Sequence, residues 1–193
     1  MKEFWFIGAL LFGVYYWSGR EIARPGGVLV PEEPVQHQVY TSRLREKNGF
    51  QIAILATFEI RARVIAVESY RFDRGAALSP VDLALGWGPM SNGDVLKQIS
   101  FSQGGRFYSW WTRKFPVPRN VIESHSANMH MIPADDDIER RLKSTRVGNL
   151  VRIKGYLVEA TSKEGFRWKS SLSRSDTGAG ACELIWVESL ESW

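Results

Sequence analysis

Apolar residues at positions 58, 60, 62 and 64 alternate with the charged side chains of Glu59, Arg61 and Arg63. A period of two puts one set on each face of a β-strand, whereas a helix would scatter both sets around its axis. The apolar character carries on to Val67, which implies one long, curved strand. A chain built around such a strand has to pair its edges and bury one of its faces, so a β-rich fold is the expectation from the outset.

The later segments agree. Residues 99–102 and 106–111 flank Gln103-Gly104-Gly105, the turn chemistry of a β-hairpin. Residues 147–160, 165–172 and 182–188 read as three closing strands. Helices are few and short. Acids at 135–137 and 139, followed by bases at 140, 141 and 143, match the helix dipole and predict a helix over 134–143. Ser79 as N-cap and Pro80 at the first helical position predict another over 79–85, stopped by Gly86 and Gly88. A further short helix is expected from Ser91 or Asn92, and one through 41–47.

Ahead of this lies sequence of a different kind. Residues 4–17 are uncharged and apolar, with Trp5 near one end and Tyr15, Tyr16 and Trp17 at the other. As a helix they would span about 21 Å at ~1.5 Å per residue, short of a ~30 Å hydrocarbon core. The aromatic ends suit the membrane interface and narrow the gap. The run predicts an uncleaved signal anchor over 1–19. A cleaved signal peptide would need an Ala-x-Ala site that 18–24 lacks, and a buried soluble helix would carry one apolar stripe rather than being apolar all round. Arg20 and Arg24 after the run nearly balance Lys2 and the amino terminus before it, so the short N-terminal tail decides for export of the rest of the chain. Residues 20–48, punctuated by Pro25-Gly26-Gly27, Pro31 and Pro34, read as an extended tether, and 49–193 as one β-rich domain of ordinary size. The net charge of +4 selects neither a nucleic-acid nor a lipid partner, and Cys182, the single cysteine, excludes an internal disulfide.

The 134–143 helix followed by Val-Gly-Asn-Leu-Val-Arg-Ile-Lys-Gly-Tyr-Leu-Val-Glu-Ala at 147–160 resembles the helix-to-strand passage of OB-fold domains, with Gly155 suited to the sharp bend of a small barrel. The chain as a whole is similar to membrane-anchored proteins of Gram-negative bacteria. Together these give a mainly β (α+β) expectation: an N-terminal transmembrane helix followed by an OB-like β-barrel with one or two short helices. They imply a single-pass protein of the bacterial inner membrane with its globular domain in the periplasm. The chain departs from the membrane-tethered OB-fold haem chaperones in having no C-terminal His-x-x-x-Tyr, and an OB fold by itself chooses no ligand.

Cations and aromatics interleave at Arg106, Tyr108 and Trp110, and again at Arg167 and Trp168. Aromatics that stack and cations that meet anionic groups are how open barrels hold polymers, and they are also how a sheet buries one face and solvates the other. Trp87, in Leu85-Gly86-Trp87-Gly88-Pro89, cannot lie in a regular helix and is either a plug over the barrel end or a binding residue. These six form the expected binding set, with no cofactor. His125, His130 and Asp135 are an alternative metal set, since imidazole and carboxylate are standard ligands. Residues five apart fall on opposite faces of a strand, so only a loop would converge the two histidines. Cys182 with either histidine could make a thiol nucleophile pair. Asp176-Thr177-Gly178 matches the aspartic-protease letters without the preceding hydrophobic strand or a second copy. The expected function is a non-catalytic, membrane-tethered binding or assembly module. It would meet the bilayer through residues 4–17 and take an envelope protein, a membrane complex, glycan or lipid as partner. A metal-assisted or thiol-dependent hydrolase and, for a cytoplasmic domain, a single-stranded nucleic-acid binder are the alternatives.

Overall fold

The computed structural model describes residues 20–41, 44–173 and 182–193. Its strands are β1 (Val35–Gln38), β2 (Leu44–Lys47), β3 (Phe50–Ser69), β4 (Val81–Gly86), β5 (Ser100–Gly104), β6 (Phe107–Trp111), β7 (Ser126–Pro133), β8 (Leu150–Ser162), β9 (Arg167–Lys169) and β10 (Glu183–Ser192). A 3-10 turn over Gly88–Ser91 and the helices α1 (Gly93–Leu96), α2 (Arg119–Ser124) and α3 (Asp136–Ser144) lie between them.

The long alternating strand organises everything else. β3 runs for twenty residues, and two register shifts, at Ile54/Ala56 against β8 and at Val64/Ala66 against β4, bend it. Because it pairs with β4 on one edge and β8 on the other, the circuit β3-β4-β7-β10-β8 closes on itself as a five-stranded barrel. All contacts in the circuit are antiparallel except β7 with β10. β1, β2 and β9 extend this eight-stranded sheet beyond the circuit. Gly155 lies where β8 crosses close under β10: a Cβ there would overlap the Trp186 carbonyl.

The apolar set of β3, with Phe58, Ile60 and Val64, meets Leu83, Met129 and Ile153 inside the barrel. Each such fully buried side chain contributes roughly 1.5–3 kcal/mol through burial. The barrel ends are closed by different means. After β7, the Asp135 carboxylate accepts the Ile138 N–H at 2.9 Å and starts α3, which turns Ile138 and Leu142 into the core. After β4, at the opposite end by register, Trp87 plugs the core with 1% of its surface exposed.

The fold is mainly β, with an eight-stranded sheet, three short helices and a 3-10 turn among the described residues rather than one or two helices. The expected N-terminal transmembrane helix is not retained: no helix among the described residues is long and apolar enough to cross a membrane. Residues 1–19, on which that expectation fell, lie outside the described residues, as do Asp176, Thr177 and Gly178. The helix expected over 79–85 is strand β4, all six residues buried. Val81, Leu83 and Leu85 enter the barrel while Asp82 and Ala84 face a covering hairpin, and pairing to both β3 and β7 outweighs the Ser79-Pro80 start signal. The expected helix over 41–47 gives way to β2 paired with β3.

The tether expected over 20–48 is not a free spacer where it is described. Ile22 N–H donates to the Val147 carbonyl at 2.8 Å, and Arg24 holds the Gly148 and Trp193 carbonyls. The Leu29 and Val30 N–H groups both donate to Ser91 Oγ at 3.0 Å, and β1 then joins the sheet.

Candidate functional site

The β5–β6 hairpin forms a separate two-stranded ribbon laid against the outer side of β4 and β7. Its turn is the two-residue loop Gly105-Arg106, with φ of +57° and +72°. Positive φ at both positions makes the turn that follows the natural twist of a hairpin, and it suits glycine at the first position. At the second it holds an arginine in the left-handed region, at a cost of roughly 1–2 kcal/mol.

That arginine is tied down by everything around it. Arg106 Nη1 donates to Asp82 Oδ1 at 2.8 Å and to the Ser79 carbonyl at 2.9 Å, and Nη2 donates to the Asp73 carboxylate at 2.9 and 3.0 Å. The guanidinium lies 3.6 Å from the Tyr70 ring centroid, and the backbone N–H donates to the Tyr70 hydroxyl at 3.0 Å. Burial pushes the Tyr70 phenol up to about 12. Asp82, with no exposed surface, is the cross-strand neighbour of His130. Its Oδ2 lies 2.9 Å from His130 Nδ1, although the two are not aligned as a hydrogen bond. The His130 ring packs 4.6 Å from that of Trp168 on β9.

Further along the ribbon, Gln103 Nε2 donates to Asn128 Oδ1 at 2.7 Å, and Asn128 Nδ2 donates to the Arg106 carbonyl at 3.3 Å. Since Ser126 Oγ donates to the Ile122 carbonyl, the Tyr108 hydroxyl donates to Ser126 Oγ at 2.8 Å. Burial also raises the Tyr108 phenol to about 12. Trp110 packs edge-on against Phe115.

Of the six expected binding residues, Arg106, Tyr108 and Trp110 belong to the contact between ribbon and barrel, and Trp168 joins it through His130. Trp87 is elsewhere, in the barrel plug. Its indole N–H donates to Glu33 at 2.7 Å, and His125 Nε2 lies 3.1 Å from the other oxygen of that carboxylate. Arg167 is exposed and paired with Glu159. The alternative metal set does not converge. His125 meets Glu33, His130 meets Asp82, and Asp135 is spent on the helix cap. No group of three or more His, Cys, Asp or Glu suited to a metal ion occurs among the described residues. Cys182 presents its backbone carbonyl to the Ser171 N–H at 3.1 Å.

What the sequence reading missed is the other side of the same ribbon. Both hairpin strands alternate exposed and half-buried. Phe107 and Trp111 therefore point outward, 61% and 60% exposed, on either side of Ser109. Phe115, whose ring packs edge-on against Trp110, is itself 49% exposed. From Val95 to Ile122 there is no acidic residue at all. Within that stretch Arg106 is held by Asp82 and Asp73, Lys97 by Asp94 and Arg119 by Glu123, while exposed Arg113 and Lys114 have no ion pair among the described residues. The signal was available: period two applied to Phe107-Tyr108-Ser109-Trp110-Trp111 separates the outward aromatics from the inward ones.

No protein family, no curated protein and no solved structure matches the chain.

Proposed function

We propose that this chain is a non-catalytic binding module on an OB-type barrel, and that it presents the outer face of the β5–β6 hairpin to an anionic partner. The observation that carries the reading is the outward pair Phe107 and Trp111, followed in sequence by the unpaired cations Arg113 and Lys114 and by exposed Phe115, in a stretch with no acid. Aromatic faces supply contact that tolerates many partners, and free cations supply charge attraction over distances near 10 Å in moderate salt.

The OB reading of the barrel is supported by its five-stranded closure, by the parallel meeting of β7 with β10, and by a helix bridging β7 to β8. In that architecture the second and third strands carry the ligand face. In this chain those strands, β4 and β7, have their outer face covered by Arg106, Tyr108 and Gln103 of the hairpin. The contact surface is thereby moved one layer outward, onto the hairpin itself. The two histidines do not come together, His125 lying beside Glu33 and His130 beside Asp82, so they do not favour the metal-assisted alternative.

Equilibrium binding to a panel of polyanions, with heparin, oligothymidylate and anionic lipid vesicles as probes, tests this. At least one should bind in a salt-dependent way, and the Phe107→Ser/Trp111→Ser double variant should weaken it about tenfold or more. Binding to none of the three, or binding that the double variant leaves unchanged, overturns the reading.

A further inference from the structure

We infer that the partner of this surface is an anionic lipid bilayer, entered by aromatic side chains from the hairpin and from the neighbouring loop 70–75. The inference rests on the binding-module reading and names its ligand. Phe72 is 96% exposed, the most exposed of the large apolar side chains described. It is flanked by exposed Arg71 and Arg74. Its neighbour Asp73 pairs with Arg106, the neighbour of Phe107. The ion pair therefore holds the loop tip and the hairpin turn side by side, with a phenyl ring standing out from each.

At the other end of the ribbon, Trp111 is followed by Arg113, Lys114 and Phe115. Aromatic groups favour the headgroup level of a bilayer, and cations beside them are drawn to anionic headgroups. Phe72 and Phe107 stand at a loop tip and beside a turn, the placement for entering a soft apolar layer. A single-stranded polymer instead calls for rings laid along a groove that tracks its backbone.

A second feature favours lipid over other polyanions. The same chain carries the uncharged apolar run 4–17, and the segment after that run reaches α1 at Gly26, which packs against the Asp94 carboxylate. From α1 the path to the aromatic surface is short: the Gln98 carbonyl accepts the Thr112 hydroxyl at 2.7 Å, and Thr112 stands between Trp111 and Arg113. The described chain that follows the apolar run in sequence thus passes α1 close to the Trp111 end of the ribbon.

The test uses the full chain with vesicles of phosphatidylglycerol and brominated phosphatidylcholine. Of the eight tryptophans, the contribution of Trp111 is isolated as the emission difference between the wild type and Trp111→Phe. Most of that component should be quenched by the brominated anionic vesicles. The quenching should disappear in brominated vesicles without phosphatidylglycerol and in an Arg113→Glu/Lys114→Glu background. Because the readout belongs to position 111, it is independent of what residues 4–17 do in the same vesicles. A Trp111 component left unquenched overturns the lipid inference. If oligothymidylate or heparin then alters it, the binding-module reading survives with another polyanion as partner, and if no probe does, both fall.

Discussion

Phe107 and Trp111 share a five-residue strand with Tyr108 and Trp110, yet the two pairs lead opposite lives. The inward pair is held by specific partners: the Tyr108 hydroxyl has Ser126, and Trp110 has Phe115 at its edge. The outward pair is about 60% exposed, and no aromatic or cationic partner accompanies it among the described contacts of the ribbon. Burial demands that each polar tip find a partner, which ties the inward residues to one geometry. Exposure imposes no such demand. Residues that can be exchanged at little cost to the fold are free to answer to a ligand, so the face that stabilises least is the one available for binding.

The sharpest way to break this contrast is to remove the arginine that docks the ribbon. Arg106→Met leaves Asp82 buried beside His130 with its permanent cation gone, and should destabilise the protein by about 3–5 kcal/mol in urea or thermal unfolding. A loss under about 1 kcal/mol would show that the ribbon does not depend on the ion network.

Tyr108→Phe sits in the middle of the range. It deletes one hydrogen bond to Ser126 and should cost about 1 kcal/mol. It should also simplify the alkaline titration seen in tyrosine absorbance. Tyr70 and Tyr108 ionise near 12 rather than at the ordinary 10.0, because burial penalises the phenolate. Their contribution to stability is whole below pH 10 and is lost as the pH rises from there through about 12, since the unfolded chain gives up its protons first. Two phenols should titrate late in the wild type and one in the variant; a single transition near 10 in both would mean that the inward face is open to water.

At the small end, Phe107→Ser/Trp111→Ser should leave unfolding stability within about 0.5 kcal/mol while weakening polyanion binding about tenfold or more. A large destabilisation would erase the distinction between the two faces.

Much of this molecule was legible from pattern alone. The alternation at 58–64 and the charge-ordered helix behind Asp135 rest on local rules and are found close to where those rules place them, while the hairpin forms with its turn at Gly105-Arg106 rather than at Gln103-Gly104-Gly105. The failures share a cause. Val81–Gly86 carries a helix start at Ser79-Pro80, but its geometry is decided by the two strands that pair with it. Glu33 lies in what reads as spacer, and only the folded chain shows it joining Trp87 to His125. Arg106 and Trp168 read in sequence as a cation and an aromatic able to bind, whereas in the fold the guanidinium meets Asp82 and Asp73 and the indole packs on His130.

By itself, the sequence determined that the chain is rich in strands, that one of them is long, and that its closing third runs helix, strand, strand, strand, because periodicity and capping act between residues close along the chain. Only the tertiary structure decided that β3 closes a barrel through both edges, that residues 20–34 run against that barrel, and which aromatics face outward. Those outcomes depend on pairing and burial between segments up to 169 residues apart, such as Arg24 and Trp193. Whether a ring is core or contact surface depends on what covers it, and that is a property of the assembled layers rather than of its neighbours in sequence.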